Sequence, residues 1–511
     1  MIDTEKIKNI FNKLFTLPHI IAATFLFLIL ITAGKYGIFG DELYYIACSK
    51  HLAWGTVDHP PFVDFIAFLS LNLFGKSLFA FRLLSGLCGA VTILISARIA
   101  KSLGGNRFAQ SLSALMILCS LVYLAVCSFL SMNCFDLLFC SLFMLFFIRI
   151  IQNPNPGNWI IFGFILGLGL LNKYTFLVLG FAWLVSLIVT RKWHIFKSPW
   201  FYISGMIGLL LFLPHIIWQY NHNWPVLEFM HNATTYKNLS TTIPTFFLQV
   251  IVSLNPVTFP IWISGLLYLL FSKKMKKYRV LGWTILIFLI IYTFQNSKFY
   301  YVTPVFPLLL ISGAIAVEWL IRKFNFNWLK VVIIILLIVS GLIILPLSIP
   351  VLPVDKFIDY IQVIGLRDQL RMEKNESENL PIHFVYRFGW EELVSLVSEV
   401  YHTLPEKEKA DCAIIASWYG PAGAIDYFGP QYGLPQAICA HNNYWIWGYD
   451  DYTGERVVTV GINPEYLKQM YNQVKVAAYF EHPYAYNQTI CICRELKYPL
   501  KDLWPKLKNY G

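Results

Sequence analysis

The chain has 511 residues, of which 57% are hydrophobic and 14% charged, and its mean hydropathy is +0.57. That composition is too apolar for the two or three soluble domains its length would otherwise allow. The formal charge of +11 is uneven: residues 1–350 hold 25 Lys and Arg against 9 Asp and Glu, and residues 351–511 hold 15 against 20. A basic balance in a polytopic chain reflects cationic cytoplasmic loops, so it does not point to nucleic acid, and no nucleic-acid-binding motif is present.

A bilayer core of about 30 Å needs roughly 20 apolar residues per helix. Eleven spans are predicted, near 18–37, 77–100, 107–127, 129–150, 158–172, 174–190, 200–219, 246–271, 279–295, 299–321 and 329–349. The first run has no small-residue cleavage site and reads as a span, not a removable leader. With the N-terminus in the cytoplasm, the inner loops carry 18 Lys and Arg, including Lys6, Lys8, Lys13 and the cluster Lys273 to Arg279, and the outer connections carry six. Positive residues prefer the cytoplasmic side, so this asymmetry predicts the orientation.

The first outer loop stands apart. Four of the nine acids in residues 1–350 lie in it: Asp41, Glu42, Asp58 and Asp64. The stretches Asp41 to Trp54 and Pro61 to Phe74 are too short to span and fit helices lying in the interface, divided by Pro60-Pro61. No internal repeat appears, which argues against a transporter built from inverted halves. Past Pro350-Val351-Leu352-Pro353 the charge rises. Helices are expected over 355–373, 390–403 and 463–472, and strands over 382–388, 412–417, 456–462, 474–480 and 489–494. That alternation predicts a small α/β domain. The organisation expected is a membrane domain over 1–350, with its polar loop at 38–76, and an extracytoplasmic α/β domain over 351–511. The ten cysteines form no metal-ligand spacing. Cys412, Cys439, Cys491 and Cys493 lie where an oxidising compartment would permit a disulfide.

Ionisable groups at membrane depth are expensive, and their positions are informative. Arg82 lies about one turn into the second span and Asp136 two turns into the fourth, both from the outer end; Lys173 and Lys298 sit in outer turns. Asp41 and Glu42 offer a carboxylate to take a proton from an attacking hydroxyl, and equally an N-terminal cap for the helix that follows. Asp58-His59 reads as chemistry or as an Asx-closed turn before the prolines. Arg82, Lys173 and Lys298 fit either a phosphate or snorkelling to the interface, and Asp136 is a partner for Arg82. The aromatics Tyr44, Tyr45, Tyr174 and Tyr300 suit an interfacial belt or the packing of sugar and prenyl groups. Residue types alone leave an enzyme, a transporter or flippase of lipid-linked saccharide, and an assembly protein all open.

In order, the chain presents Asp41-Glu42 with Tyr44-Tyr45, Asp58-His59-Pro60-Pro61, Phe81-Arg82-Leu83, Asp136, Asn172-Lys173-Tyr174-Thr175, Pro214-His215-Ile216-Ile217-Trp218 and Lys298-Phe299-Tyr300. Tyr419-Gly420-Pro421-Ala422-Gly423-Ala424 and His441-Asn442-Asn443-Tyr444-Trp445 follow. This series resembles the bacterial relatives of the dolichyl-phosphate-mannose protein mannosyltransferases, the type C glycosyltransferases that include the lipid A aminoarabinose transferase. The resemblance implies a polytopic helical fold and an inner-membrane enzyme. It implies transfer of a sugar, with inversion, from a polyprenyl-phosphate donor to a hydroxyl of a lipid, glycan or protein acceptor. Asp41 would be the base and Glu42 its support; Arg82, Lys173 and Lys298 would hold the departing phosphate; no metal or other cofactor would be needed. The β-trefoil insertion of the family's protein mannosyltransferases has no counterpart here, which weighs against a protein acceptor.

Overall fold

The computed structural model describes residues 16–239, 241–295, 297–366 and 380–511. Lys6, Lys8, Lys13 and the end of the helix expected over 355–373 lie outside them. All eleven expected spans are helical, but they differ in build. Six described helices are long and apolar enough to cross a bilayer: Leu78–Ser102, Met132–Gln152, Pro199–Asn221, Lys273–Phe294, Phe299–Phe324 and Trp328–Ser348. Two bent pairs bring the number to eight: Arg107–Leu118 with Leu121–Cys127, bent by 62°, and Ile243–Ser253 with Pro256–Phe271, bent by 104°. The other three, Leu17–Ile31, Pro156–Asn172 and Thr175–Val189, have 15, 17 and 15 described residues. Fifteen residues rise only about 22 Å, so the count of eleven crossings exceeds what helix length supports.

The chain forms two compact units. A helical unit comprises Met1–Lys35, Ser77–Ile217 and Leu239–Met372; an α/β unit comprises Tyr36–Lys76, Trp218–Asn238 and Glu373–Gly511. The boundary expected at 350 follows composition, whereas compactness assigns the acidic loop to the same unit as the C-terminal segment.

In the helical unit the two bends are joined to each other. A break in a span frees backbone groups that hydrocarbon cannot satisfy, so it survives only inside protein. Asn255, fully buried at φ 77°, donates its amide to the Cys119 carbonyl at 2.9 Å. Ser120 Oγ donates to the Leu254 carbonyl at 3.0 Å, and Ser340 Oγ to Asn255 Oδ1 at 3.0 Å. Elsewhere, close helix approach depends on small residues. A Cβ on Gly265 would lie 2.1 Å from the Leu309 carbonyl oxygen, and one on Gly313 2.1 Å from that of Ile261.

The α/β unit holds a five-stranded sheet in the order β2-β1-β3-β5-β4. Its strands are β1 Ala413–Ala416, β2 Ala437–Cys439, β3 Arg456–Val460, β4 Tyr471–Phe480 and β5 Gln488–Leu496. β1 is parallel to β2 and β3; β5 runs antiparallel to β3 and β4. Central β3 buries four successive residues, Val457, Val458, Thr459 and Val460, as a strand covered on both faces does. The expected strand over 382–388 is instead a helical turn, Ile382–Val385, opened by Pro381, whose carbonyl accepts from Phe384 and Val385. β2 and the helices Tyr419–Phe428 and Leu500–Leu507 were not anticipated. All ten cysteines are buried free thiols, so the disulfide that an oxidising compartment would permit among Cys412, Cys439, Cys491 and Cys493 is not formed in this structure.

Candidate active site

The acidic loop folds as the helices Gly40–Lys50 and Phe62–Phe74 around a tight turn. The paired acids at its start diverge. Glu42 is buried and accepts the Phe39 N–H at 2.9 Å, a helix-start contact that satisfies an otherwise orphan donor. Asp41 is half-buried, and its Oδ1 accepts the hydroxyl of Tyr419 at 2.9 Å. Tyr419 comes from the helix Tyr419–Phe428, which approaches Gly40–Lys50 so closely that a Cβ on Gly423 would lie 3.1 Å from Leu43. The Gly-Pro-Ala-Gly-Ala run permits that approach.

Behind Asp41 the network continues. Tyr44 stacks on Tyr419 at 4.5 Å with an interplanar angle of 23°. Its hydroxyl donates to Asp58 Oδ1 at 2.9 Å and accepts from the Asn443 backbone N–H at 3.3 Å. His59, fully buried, lies between two carboxylates: Nδ1 is 3.4 Å from Asp58, and Nε2 is 3.1 Å from Asp64. The turn is closed by Thr56, whose hydroxyl contacts His59 Nδ1, accepts the His59 N–H at 3.1 Å and donates to its carbonyl at 2.5 Å. An Asx closure by Asp58 is therefore replaced by a threonine closure. Tyr45 is buried with its ring 5.1 Å from that of His59.

Burial alone would lower the His59 pKa, but Asp64 and then Asp58 outweigh it and raise it to about 10. An imidazolium that donates from both nitrogens has no lone pair for a metal. Burial would likewise raise Asp58, yet the His59 charge and the His59 and Tyr44 hydrogen bonds bring it below its ordinary value. Asp64, without a phenol donor, is raised by burial despite His59. Tyr44 and Tyr419 are held well above the usual phenol range by burial first and then by carboxylates. Both stay protonated donors. His441, whose ring is 5.1 Å from that of Tyr419, is pushed down to about 4 by burial and by Lys237; its Nε2 donates to the Gly511 carbonyl at 2.6 Å.

The helical unit contains a second polar cluster. The helix Pro156–Asn172 ends at Lys173, which is extended, and Thr175–Val189 begins two residues later. Three side chains of this break reach the start of Met132–Gln152. Asn172 Nδ2 donates to the Met132 carbonyl at 2.9 Å, Lys173 Nζ to Asn133 Oδ1 at 2.8 Å, and Thr175 Oγ1 to Asp136 Oδ2 at 2.9 Å. Lys173 Nζ is also 3.7 Å from Asp136 and lies 4.5 and 5.5 Å from the ring centres of Tyr301 and Tyr300. Asp136 thus pairs with Lys173, not with Arg82 as expected. Arg82 is fully buried and donates to the Ala33 carbonyl past the end of Leu17–Ile31. Lys298 is half-buried and precedes the turn Phe299–Tyr301. The Tyr174 hydroxyl is engaged with His215 Nε2 at 2.8 Å.

The structure gathers Asp41, Tyr44, Tyr45, Asp58 and His59 in one network, and Asp136, Lys173 and Tyr300 in another. Tyr419, Asn443, His441 and Asp64 were not singled out as site residues. The first three lie in motifs that carried the resemblance, and Asp64 was visible only as one acid of a crowded loop.

Residues 58–218 match the family of dolichyl-phosphate-mannose-protein mannosyltransferases. The lipopolysaccharide core galacturonosyltransferase RgtA of Rhizobium johnstonii is 24% identical over 186 residues, 35% of this chain and 36% of that protein. The matched stretch therefore spans about a third of that relative's length. The crystal structure of ArnT from Cupriavidus metallidurans in the apo state covers 93% of this chain and 97% of its own, with TM-score 0.61 and 15% identity. The same enzyme bound to undecaprenyl phosphate gives the same coverage with TM-score 0.60 and 15% identity. The chain is thus a multi-span membrane protein with an ArnT-like fold, and its residues 58–218 are similar to the mannosyltransferase family.

Proposed function

We propose that this protein transfers a sugar from a polyprenyl-phosphate donor to a hydroxyl acceptor at the outer face of a bacterial cytoplasmic membrane. The observation that carries this reading is the half-buried Asp41 carboxylate, oriented by the Tyr419 phenol beside a cluster of further acids. The relatives named as glycosyltransferases and the ArnT-like fold support it.

In the proposed step the acceptor oxygen forms a bond to the anomeric carbon as the bond to the donor phosphate breaks, inverting the centre. The acceptor proton passes to Asp41, and the electron pair of the broken bond leaves with the lipid phosphate. A carboxylate serves as the base because the hydroxyl becomes acidic only as it bonds to carbon. The leaving phosphate is assigned to the cations of the helical unit, Lys173 first, with Arg82 and Lys298. Glu42 is assigned a supporting role through the helix start that carries Asp41. No metal is assigned a role. The acceptor is proposed to be a lipid or glycan of the envelope, and the α/β unit is proposed to be extracytoplasmic, with the N-terminus inside.

Mass spectrometry of envelope lipids and glycans from cells with and without the gene tests the reading. A glycan or lipid A species that loses one sugar in the deletion and regains it on complementation is expected. Identical envelopes, with export of a lipid-linked saccharide altered instead, would replace it with the flippase reading.

A further inference from the structure

We infer that Tyr419 is the positioning residue of the Asp41 carboxylate, so that the C-terminal segment completes the base; this rests on the reading of Asp41 as that base. Packing alone does not require a tyrosine here. The ring is fully used by its stack on Tyr44, an edge contact with Trp418 at 5.0 Å and the neighbouring His441 ring, and phenylalanine would serve all three. The hydroxyl is the added feature. The half-buried phenol donates to Asp41 Oδ1, 378 residues away in sequence. The helix carrying Tyr419 is fixed against the helix carrying Asp41 at Gly423 and Leu43, which leaves the bond little freedom.

A donor that stabilises the ionised carboxylate lowers the pH at which it takes up a proton and holds the group in one rotamer. The other titratable groups facing this pair are Glu42 and Tyr44 on the Asp41 helix, Asp58 on the turn, and Tyr386 and His441 beside the phenol.

The test is an infrared titration of the full-length protein in detergent with carboxyl-labelled aspartate, the Asp41 band being identified by its loss in Asp41→Asn. In Tyr419→Phe the midpoint of that band is expected to rise by about one pH unit. A midpoint within about 0.2 of wild type overturns the inference. If Tyr419→Phe fails to fold, Asp41→Asn is read from the other side, in protein labelled at the tyrosine phenol carbon. The C–O band of one tyrosine should shift, and no shift overturns the inference. Envelope transfer in Tyr419→Phe should fall about tenfold, and the double variant should be no worse than Asp41→Asn alone. If transfer proves absent in wild type, the proposed function fails while the infrared result still decides the Tyr419–Asp41 bond.

Discussion

Each of the two compact units buries a polar network, and the networks differ in what they leave available. In the α/β unit every link is a hydroxyl or imidazolium donating to a carboxylate, running Tyr419–Asp41 and Tyr44–Asp58–His59–Asp64. Such a set holds negative charge in place and suits proton acceptance. In the helical unit a single carboxylate, Asp136, takes a threonine hydroxyl at 2.9 Å but only a distant 3.7 Å approach from Lys173, whose closer partner is a neutral amide. That ammonium is paired with Asp136 and held on its other sides by an asparagine and two aromatic faces. The contrast is between several carboxylates held by hydroxyl and imidazolium donors and one cation held by a single carboxylate.

The sharpest way to break this contrast is Asp41→Asn, which is expected to lower transfer by about a thousandfold or more with the protein still folded and still binding undecaprenyl phosphate as a probe. Near-normal turnover would remove the base from the account. Next comes Lys173→Met, expected to cut transfer about a hundredfold and weaken probe binding. Because it also strands Asp136, its apparent melting temperature should drop. Adding Asp136→Asn should recover the melting temperature but not the transfer; recovery of both would make the pair purely structural.

A smaller effect is legible in pH. The His59 pKa is raised to about 10 from the ordinary 6.5, so its stabilising contribution is complete below 6.5 and lost as pH rises through 10. The apparent melting temperature of wild type should decline across that window, and His59→Gln should flatten the decline. Equal slopes in the two proteins would show that the imidazolium is not what the acids hold. Smallest of all is Glu42→Ala, which removes the acceptor for the Phe39 N–H and should lower stability by about 1 kcal/mol while transfer changes only a few-fold. A loss comparable to that of Asp41→Asn would return Glu42 to the chemistry.

Much of this architecture was readable from residue order, for identifiable reasons. A span needs an unbroken apolar run, so all eleven helical segments announced themselves, and a loop holding Asp41, Glu42, Asp58 and Asp64 in an acid-poor region was conspicuous. The breaks at Ser120 and Asn255 were not readable, because each exists only through bonds to the other. A pairing of Asp136 with Arg82 was one option that residue types left open; its partner, Lys173, lies across a helix break whose register no hydropathy pattern fixes. Tyr419 and Asn443 went unremarked as site residues for a similar reason, since their partners are 378 and 399 residues distant. The cap at this helix start was expected from Asp41, with Glu42 in the first turn; the Phe39 N–H goes to Glu42 instead, a backbone contact that spacing does not reveal.

The joined breaks in the helical unit also constrain how the chain is made. The carbonyl of Cys119 receives its donor from Asn255, and Asn255 in turn receives the hydroxyl of Ser340. A ribosome adding about 5–20 residues per second reaches Asn255 on the order of 7–30 s after Cys119. Until then the carbonyl freed at the first bend lacks the partner that the folded protein gives it. The first break is therefore completed by chain made after it, and the second break is its precondition.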